Sequence, residues 1–141
     1  MSASLSVAVA VSFVWLGMVL AISFVEAPLK FRAPGVTLRI GLGIGRLVFR
    51  ALNGIEVVLA VTLGVALLLD APPLRVGVGA VVALGVTLVQ LGLVRPVLSR
   101  RSDRVLAGED AARSRAHYWY VGLEVVKVIA LAVTGAFMLA L

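Results

Sequence analysis

Two glutamates and a lysine lie within stretches that are otherwise almost wholly apolar. Glu56 sits in Gly54-Ile55-Glu56-Val57-Val58. Glu124 sits in Gly122-Leu123-Glu124-Val125-Val126, with Lys127 one helical turn further on. An ionisable side chain in a hydrocarbon-spanning segment is costly, and marks pairing, a proton relay or a solute path. Glu124 and Lys127 are spaced i, i+3 with the acid nearer the N-terminus, so they can pair along one helix face, or Lys127 can reach across to Glu56. Two carboxylates and one ammonium leave an excess negative charge that a proton or a cation can balance. The chemistry in reach is proton exchange or solute binding; the alternative is a buried ion network that only locks helices together.

The two glutamate segments also mark a repeat. The ungapped offset that sets Glu56 on Glu124 also pairs Leu16 with Leu84, Gly17 with Gly85, Leu20 with Leu88, Pro28 with Pro96 and Arg32 with Arg100. A register held across both helices of a unit points to duplication, with units at about 1–68 and 69–141. Each unit has two spans, so the copies would be parallel, related by an axis along the membrane normal. That axis would bring Glu56 and Glu124 toward each other.

The elements that position these residues follow from composition. The chain has 141 residues, 62% apolar and 14% charged, which excludes an ordinary soluble domain. Four apolar runs, at about 5–26, 47–69, 74–94 and 118–141, reach the roughly 20 residues that a membrane-crossing helix needs. The expected fold is all-α: an integral membrane four-helix bundle forming a single transmembrane domain. The longest connections fall at 27–46 and 95–117. No basic residue precedes the first run, which is longer than a signal-peptide core, so it reads as a retained span. Lys30, Arg32, Arg39, Arg46 and Arg50 flank the first connection; Arg95, Arg100, Arg101, Arg104, Arg113 and Arg115 flank the third. The middle turn has only Arg75. Because cationic loops stay cytoplasmic, both termini are expected outside. Arg outnumbers Lys eleven to two, which suggests a high-GC bacterial gene, and the expected location is a bacterial inner membrane.

Helical periodicity gathers the remaining polar residues into one stripe per helix. These are Ser12, Trp15, Ser23 and Glu26; Arg46, Arg50, Asn53 and Glu56; Ala80, Ala83, Thr87 and Gln90; and His117, Tyr120, Glu124 and Lys127. Turned inward, they make a polar seam in which Glu56, Glu124 and Lys127 bind a solute or proton and Asn53, Gln90, Tyr120 and His117 line the route. Glu26, Lys30 and Arg32, beside Pro28 and Pro34-Gly35, could gate its cytoplasmic mouth, and Pro28 should end or kink the first helix. Gly17 with Ala21, Ala60 with Gly64, Gly85 with Gly92, and Ala132 with Gly135 and Ala136 offer close-packing surfaces. Gly41-Leu42-Gly43-Ile44-Gly45-Arg46 has neither the spacing nor the context of a nucleotide loop, and reads as a flexible lead-in to the second span.

Without cysteine, and with His117 the lone histidine, no metal site or cofactor is expected. No basic face interleaved with groove-reading elements points to nucleic acid, whereas anionic lipid headgroups suit the basic loops. The leading expectation is a protein that binds or moves a small solute, cation or proton, acting as a homo-oligomer or beside a membrane partner subunit. The alternative is a non-catalytic structural or assembly subunit of a larger membrane complex. A lipid- or quinone-handling enzyme is a third reading, which no catalytic constellation supports.

The run Ser23-Phe24-Val25-Glu26-Ala27-Pro28-Leu29-Lys30-Phe31-Arg32, followed by Gly45-Arg46-Leu47-Val48-Phe49, resembles small four-span membrane proteins of the "transmembrane protein 205" group. Pro96 and His117 suit the same pattern. Glu26, Lys30 and the Gly-Leu/Ile-Glu-Val-Val segments depart from it. The resemblance implies a four-helix membrane bundle and brings no catalytic residues.

Overall fold

Leu, Val and Ala fill every long run, and side-chain caps fix where the first two helices begin. Ser2 Oγ accepts the Leu5 amide at 3.1 Å, and Thr37 Oγ1 accepts the Ile40 amide at 3.2 Å. Such caps satisfy backbone donors that the first helical turn leaves open. The computed structural model describes residues 1–108 and 115–141; Arg113 of the third connection lies outside the described residues. The described residues form four helices, each long and apolar enough to cross a membrane: α1 (Ala3–Arg32), α2 (Leu38–Leu69), α3 (Leu74–Leu106) and α4 (Arg115–Leu139).

α1 and α3 run well past their apolar stretches, and α2 begins before its own. The connection expected at 27–46 therefore shrinks to 33–37, where Gly35 takes a positive φ of 81°. The physical reason is that Lys and Arg interrupt hydropathy without opposing helix formation. The same fact corrects the reading of Gly41-Leu42-Gly43-Ile44-Gly45: it is helical from Leu38 onward, not a flexible lead-in.

Pro28 does not end α1. It follows a π-helical stretch, Leu20–Glu26, in which the Ala27 amide donates to the Ile22 carbonyl. Pro96 in α3 likewise follows a π stretch, Gln90–Val94, with the Arg95 amide donating to the Gln90 carbonyl. A proline ring lacks an N–H and crowds the carbonyl four residues back. The wider turn makes room for the ring, so each helix continues. One π turn also rotates everything beyond it by about 100° relative to an unbroken α-helix.

The helices form a ring in which each packs on its chain neighbours and α4 returns to α1, with the α2–α3 seam the thinnest. At the end opposite the arginine-rich connections, the Ser2 hydroxyl donates to the Asp70 carboxylate. The core is apolar there, with Ala8, Trp15, Val19, Leu63, Val76, Leu131 and Met138 fully buried. The exterior is more apolar than the interior, with Leu47, Leu68, Leu74, Leu88 and Leu93 all at least 69% exposed. That inverted distribution is compatible with a multi-pass membrane protein.

Close approaches use other glycines than the small-residue spacing indicated. Gly17, Gly64, Gly85 and Gly92 have nothing within 4 Å of an added Cβ. Gly135 is the exception, facing the Phe13 ring, where an added Cβ would lie 2.7 Å from Cζ. Gly79 meets the Thr134 side chain and lies near the Ala130 carbonyl, so it sets the spacing of α3 on α4. Gly79→Val should therefore destabilise the bundle by about 1–3 kcal/mol, lowering the thermal midpoint in detergent. Gly85→Val, into open space, should leave it unchanged.

Candidate functional site

Counting from the end opposite the arginine-rich connections places the polar residues of different helices at one level. Trp15 lies about as far along the chain from Ser2 as Glu56 does from Asp70, Gln90 from Leu74 and Lys127 from Leu141. At ~1.5 Å per residue each sits ~20–24 Å along the bundle, with Glu124 one turn nearer the arginine-rich end. The stripes of α3 and α4 face inward, as do Ser12, Trp15 and Glu56, whereas Arg50 of the α2 stripe is exposed. All four of Ala80, Ala83, Thr87 and Gln90 are buried, as are Tyr120, Glu124 and Lys127.

Lys127 is the hub. Its Nζ lies 2.5 Å from Glu56 Oε2 and 2.9 Å from Glu124 Oε1. All three side chains are 1% exposed, so water supplies almost none of their solvation. The protein supplies it instead. Trp15 Nε1 donates to Glu56 Oε2 at 2.9 Å. Ser23 Oγ donates to Glu124 Oε2 at 2.5 Å, and Gln90 Nε2 donates to Glu124 Oε1 at 3.0 Å and to the Tyr120 carbonyl at 3.3 Å. Every helix thus contributes, and the hub spans the bundle from α4 to α2.

A cavity of about 410 Å³ opens above the hub toward the arginine-rich end. Glu124 and Ser23 belong to its lining, so one carboxylate of the buried cluster is also a wall of the cavity. Phe24, Phe31, Phe49 and Tyr120 supply apolar walls; Lys30, Arg46, Arg95 and Arg101 supply positive charge. Phe49 and Tyr120 meet edge to face with centroids 6.0 Å apart, a favourable aromatic geometry. Arg46 pairs with Asp103.

Glu56, Glu124, Lys127 and Gln90 are brought into direct contact. Tyr120 and His117 line the cavity, and Asn53, half-buried one turn before Glu56, is not among its lining residues. At the expected gate, Lys30 lines the cavity and lies 3.8 Å from Glu26, while Arg32 is exposed outside it. Trp15, on the polar stripe of the first helix, is fully buried and donates to Glu56. Sequence reasoning missed Arg95 and Phe49. Arg95 follows the π turn, and α-helical periodicity cannot place a residue beyond such a turn on the right face. Compared with known proteins, the chain matches no family model, no curated protein and no solved structure.

Removing the ammonium would leave two buried carboxylates facing each other. Lys127→Met should lower stability by roughly 3–5 kcal/mol, read as the unfolding midpoint in detergent. Adding Glu56→Gln to that variant should recover part of the loss, because it removes one uncompensated charge. Equal stability of wild type and Lys127→Met would mean that the three groups are not paired in the folded protein.

Proposed function

We propose that this protein is a bacterial inner-membrane bundle that binds and moves a small solute through the arginine-rich cavity, with a proton exchanged at the Glu56–Lys127–Glu124 cluster. The observation that carries this reading is the double membership of Glu124: it is salt-bridged to buried Lys127 and lines the cavity. A solute or proton arriving in the cavity meets the cluster at that carboxylate. Protonating Glu124 would weaken its hold on the ammonium and leave Glu56 as the principal counter-ion, so occupancy of the cavity and the pairing of Lys127 are coupled. The excess negative charge of the cluster supplies the place for the proton.

A second reading has its own support. Each glutamate receives a neutral donor besides Lys127, as a network that only fixes helix register also requires. On that reading the protein is a structural or assembly subunit of a larger membrane complex. The glycines that face open space leave room for a neighbouring helix from a second copy or a partner subunit.

In either case the arginine-rich end is assigned to the cytoplasm by the charge rule, where it meets anionic headgroups, and both termini are outside. Two parallel repeats account for the π turns with a proline immediately after the capping residue, at the matching positions Pro28 and Pro96. Membership in the "transmembrane protein 205" group fits the four-span plan.

Infrared difference spectroscopy on reconstituted protein separates the two readings. A carboxylic-acid band at neutral pH that disappears in Glu124→Gln or Glu56→Gln is the expected result for proton exchange. Absence of that band, with both variants merely less stable, would sink the transport reading in favour of a fixed network. Orientation is tested separately, since the chain has no cysteine of its own. In intact spheroplasts an impermeant maleimide should label Ala71→Cys, and Ala107→Cys only after permeabilisation; the reverse pattern would invert the topology.

A further inference from the structure

The cavity wall holds two cations that donate no hydrogen bond to a carboxylate among the described residues. The Lys30 side chain is only 10% exposed, yet its Nζ is 3.8 Å from Glu26 Oε2, beyond hydrogen-bond reach. Its ammonium instead lies 5.5 Å from the Phe31 ring centroid and 5.8 Å from that of Phe49. Arg95 makes no ion pair among the described residues; its guanidinium lies 5.1 Å from the Phe49 centroid and 5.6 Å from that of Tyr120. Both charges therefore converge on one aromatic ring inside the cavity. Cation–π contact offsets part of their desolvation, but it leaves their N–H donors open.

This placement is built into the backbone. Gly45 leaves the space that the Lys30 ammonium occupies, since an added Cβ would lie 2.6 Å from Nζ. Gly41 does the same for the Phe31 ring. Any side chain at either position would push Lys30 or Phe31 out of place. Arg95 is delivered by the π turn that ends at Val94.

We infer that the cavity is a binding site for an organic oxyanion, a carboxylate or phosphate ester attached to an apolar body, whose oxygens take donors from Lys30 and Arg95 while the body packs among Phe24, Phe31 and Tyr120. This rests on the cavity being the solute site proposed above and names the solute's class. An oxyanion seated there would approach Glu124 at the cavity floor. A soluble organic acid and an anionic phospholipid headgroup share this chemistry.

The test is calorimetric titration of the full chain in phosphatidylcholine nanodiscs with phenyl phosphate, inorganic phosphate and benzyl alcohol. Phenyl phosphate is expected to bind more tightly than either fragment. Lys30→Met and Arg95→Met should each weaken it roughly tenfold, the loss of one charge-assisted contact. Lys30→Arg should retain much of the affinity, and Arg39→Gln, a charge change outside the cavity, all of it. Phenyl phosphate no tighter than benzyl alcohol, or wild-type affinity in both methionine variants with unchanged thermal midpoints, would overturn the inference. Discs containing phosphatidylglycerol distinguish the sources: competition there identifies a lipid headgroup as occupant, and undiminished binding identifies a soluble anion. Binding that persists when neither glutamate shows an infrared band would end the proton reading and keep the anion site. A band without binding would do the opposite.

Discussion

An ammonium held between two carboxylates, in an interior that offers almost no water, is the constraint on which the bundle depends. Transfer of three ions from water to such a place is expensive, and a well-packed apolar core of the same volume could be equally stable. What the ions supply is specificity. Lys127 reaches Glu56 at 2.5 Å only when α4 and α2 have one relative height and rotation. Trp15, Ser23 and Gln90 extend the same demand to α1 and α3. A slip of one residue on any helix is about 1.5 Å and 100°, enough to strip the cluster of a partner.

The second constraint is steric. Prolines close to the arginine-rich end would normally stop α1 and α3. The π turns preceding them let both helices continue, and with them a vestibule walled by helix ends instead of loops. That is why the cavity can hold rings and cations at fixed places. The glycines of the early part of α2 act in concert with it, accepting Phe31 and Lys30 where a side chain would expel them. A composition that looks loose in one dimension is close packing in three.

Between these features the polarity of the molecule runs inside out. Large aliphatic side chains cover the exterior, while Glu56, Glu124, Lys127, Gln90, Ser12, Thr87 and Thr134 are buried. Helix association in such a bundle cannot rest on hiding apolar surface from water when the surroundings are equally apolar. Tight contacts such as Gly79 against Thr134 and the buried polar cluster are the features that would hold such a bundle together. The ordering of α3 on α4 and the ion network are therefore two parts of one packing solution.

The amino-acid sequence alone determined the four apolar helices, the inward stripes of α3 and α4, and the concentration of arginine at one end. It also singled out Glu56, Glu124 and Lys127 as an ionic set. These follow from local composition and a 3.6-residue period, which need no knowledge of neighbours. Tertiary structure decided which partners close the cluster, that Trp15 and Ser23 belong to it, and that Glu124 is shared with a cavity. It also decided the extended helix ends, because charged residues lower hydropathy without ending a helix. The placement of Arg95 and the paired use of Gly41 and Gly45 were hidden for one physical reason. A π turn shifts the helical phase, and close packing depends on the shape of the opposing helix, neither of which the hydrophobic period records.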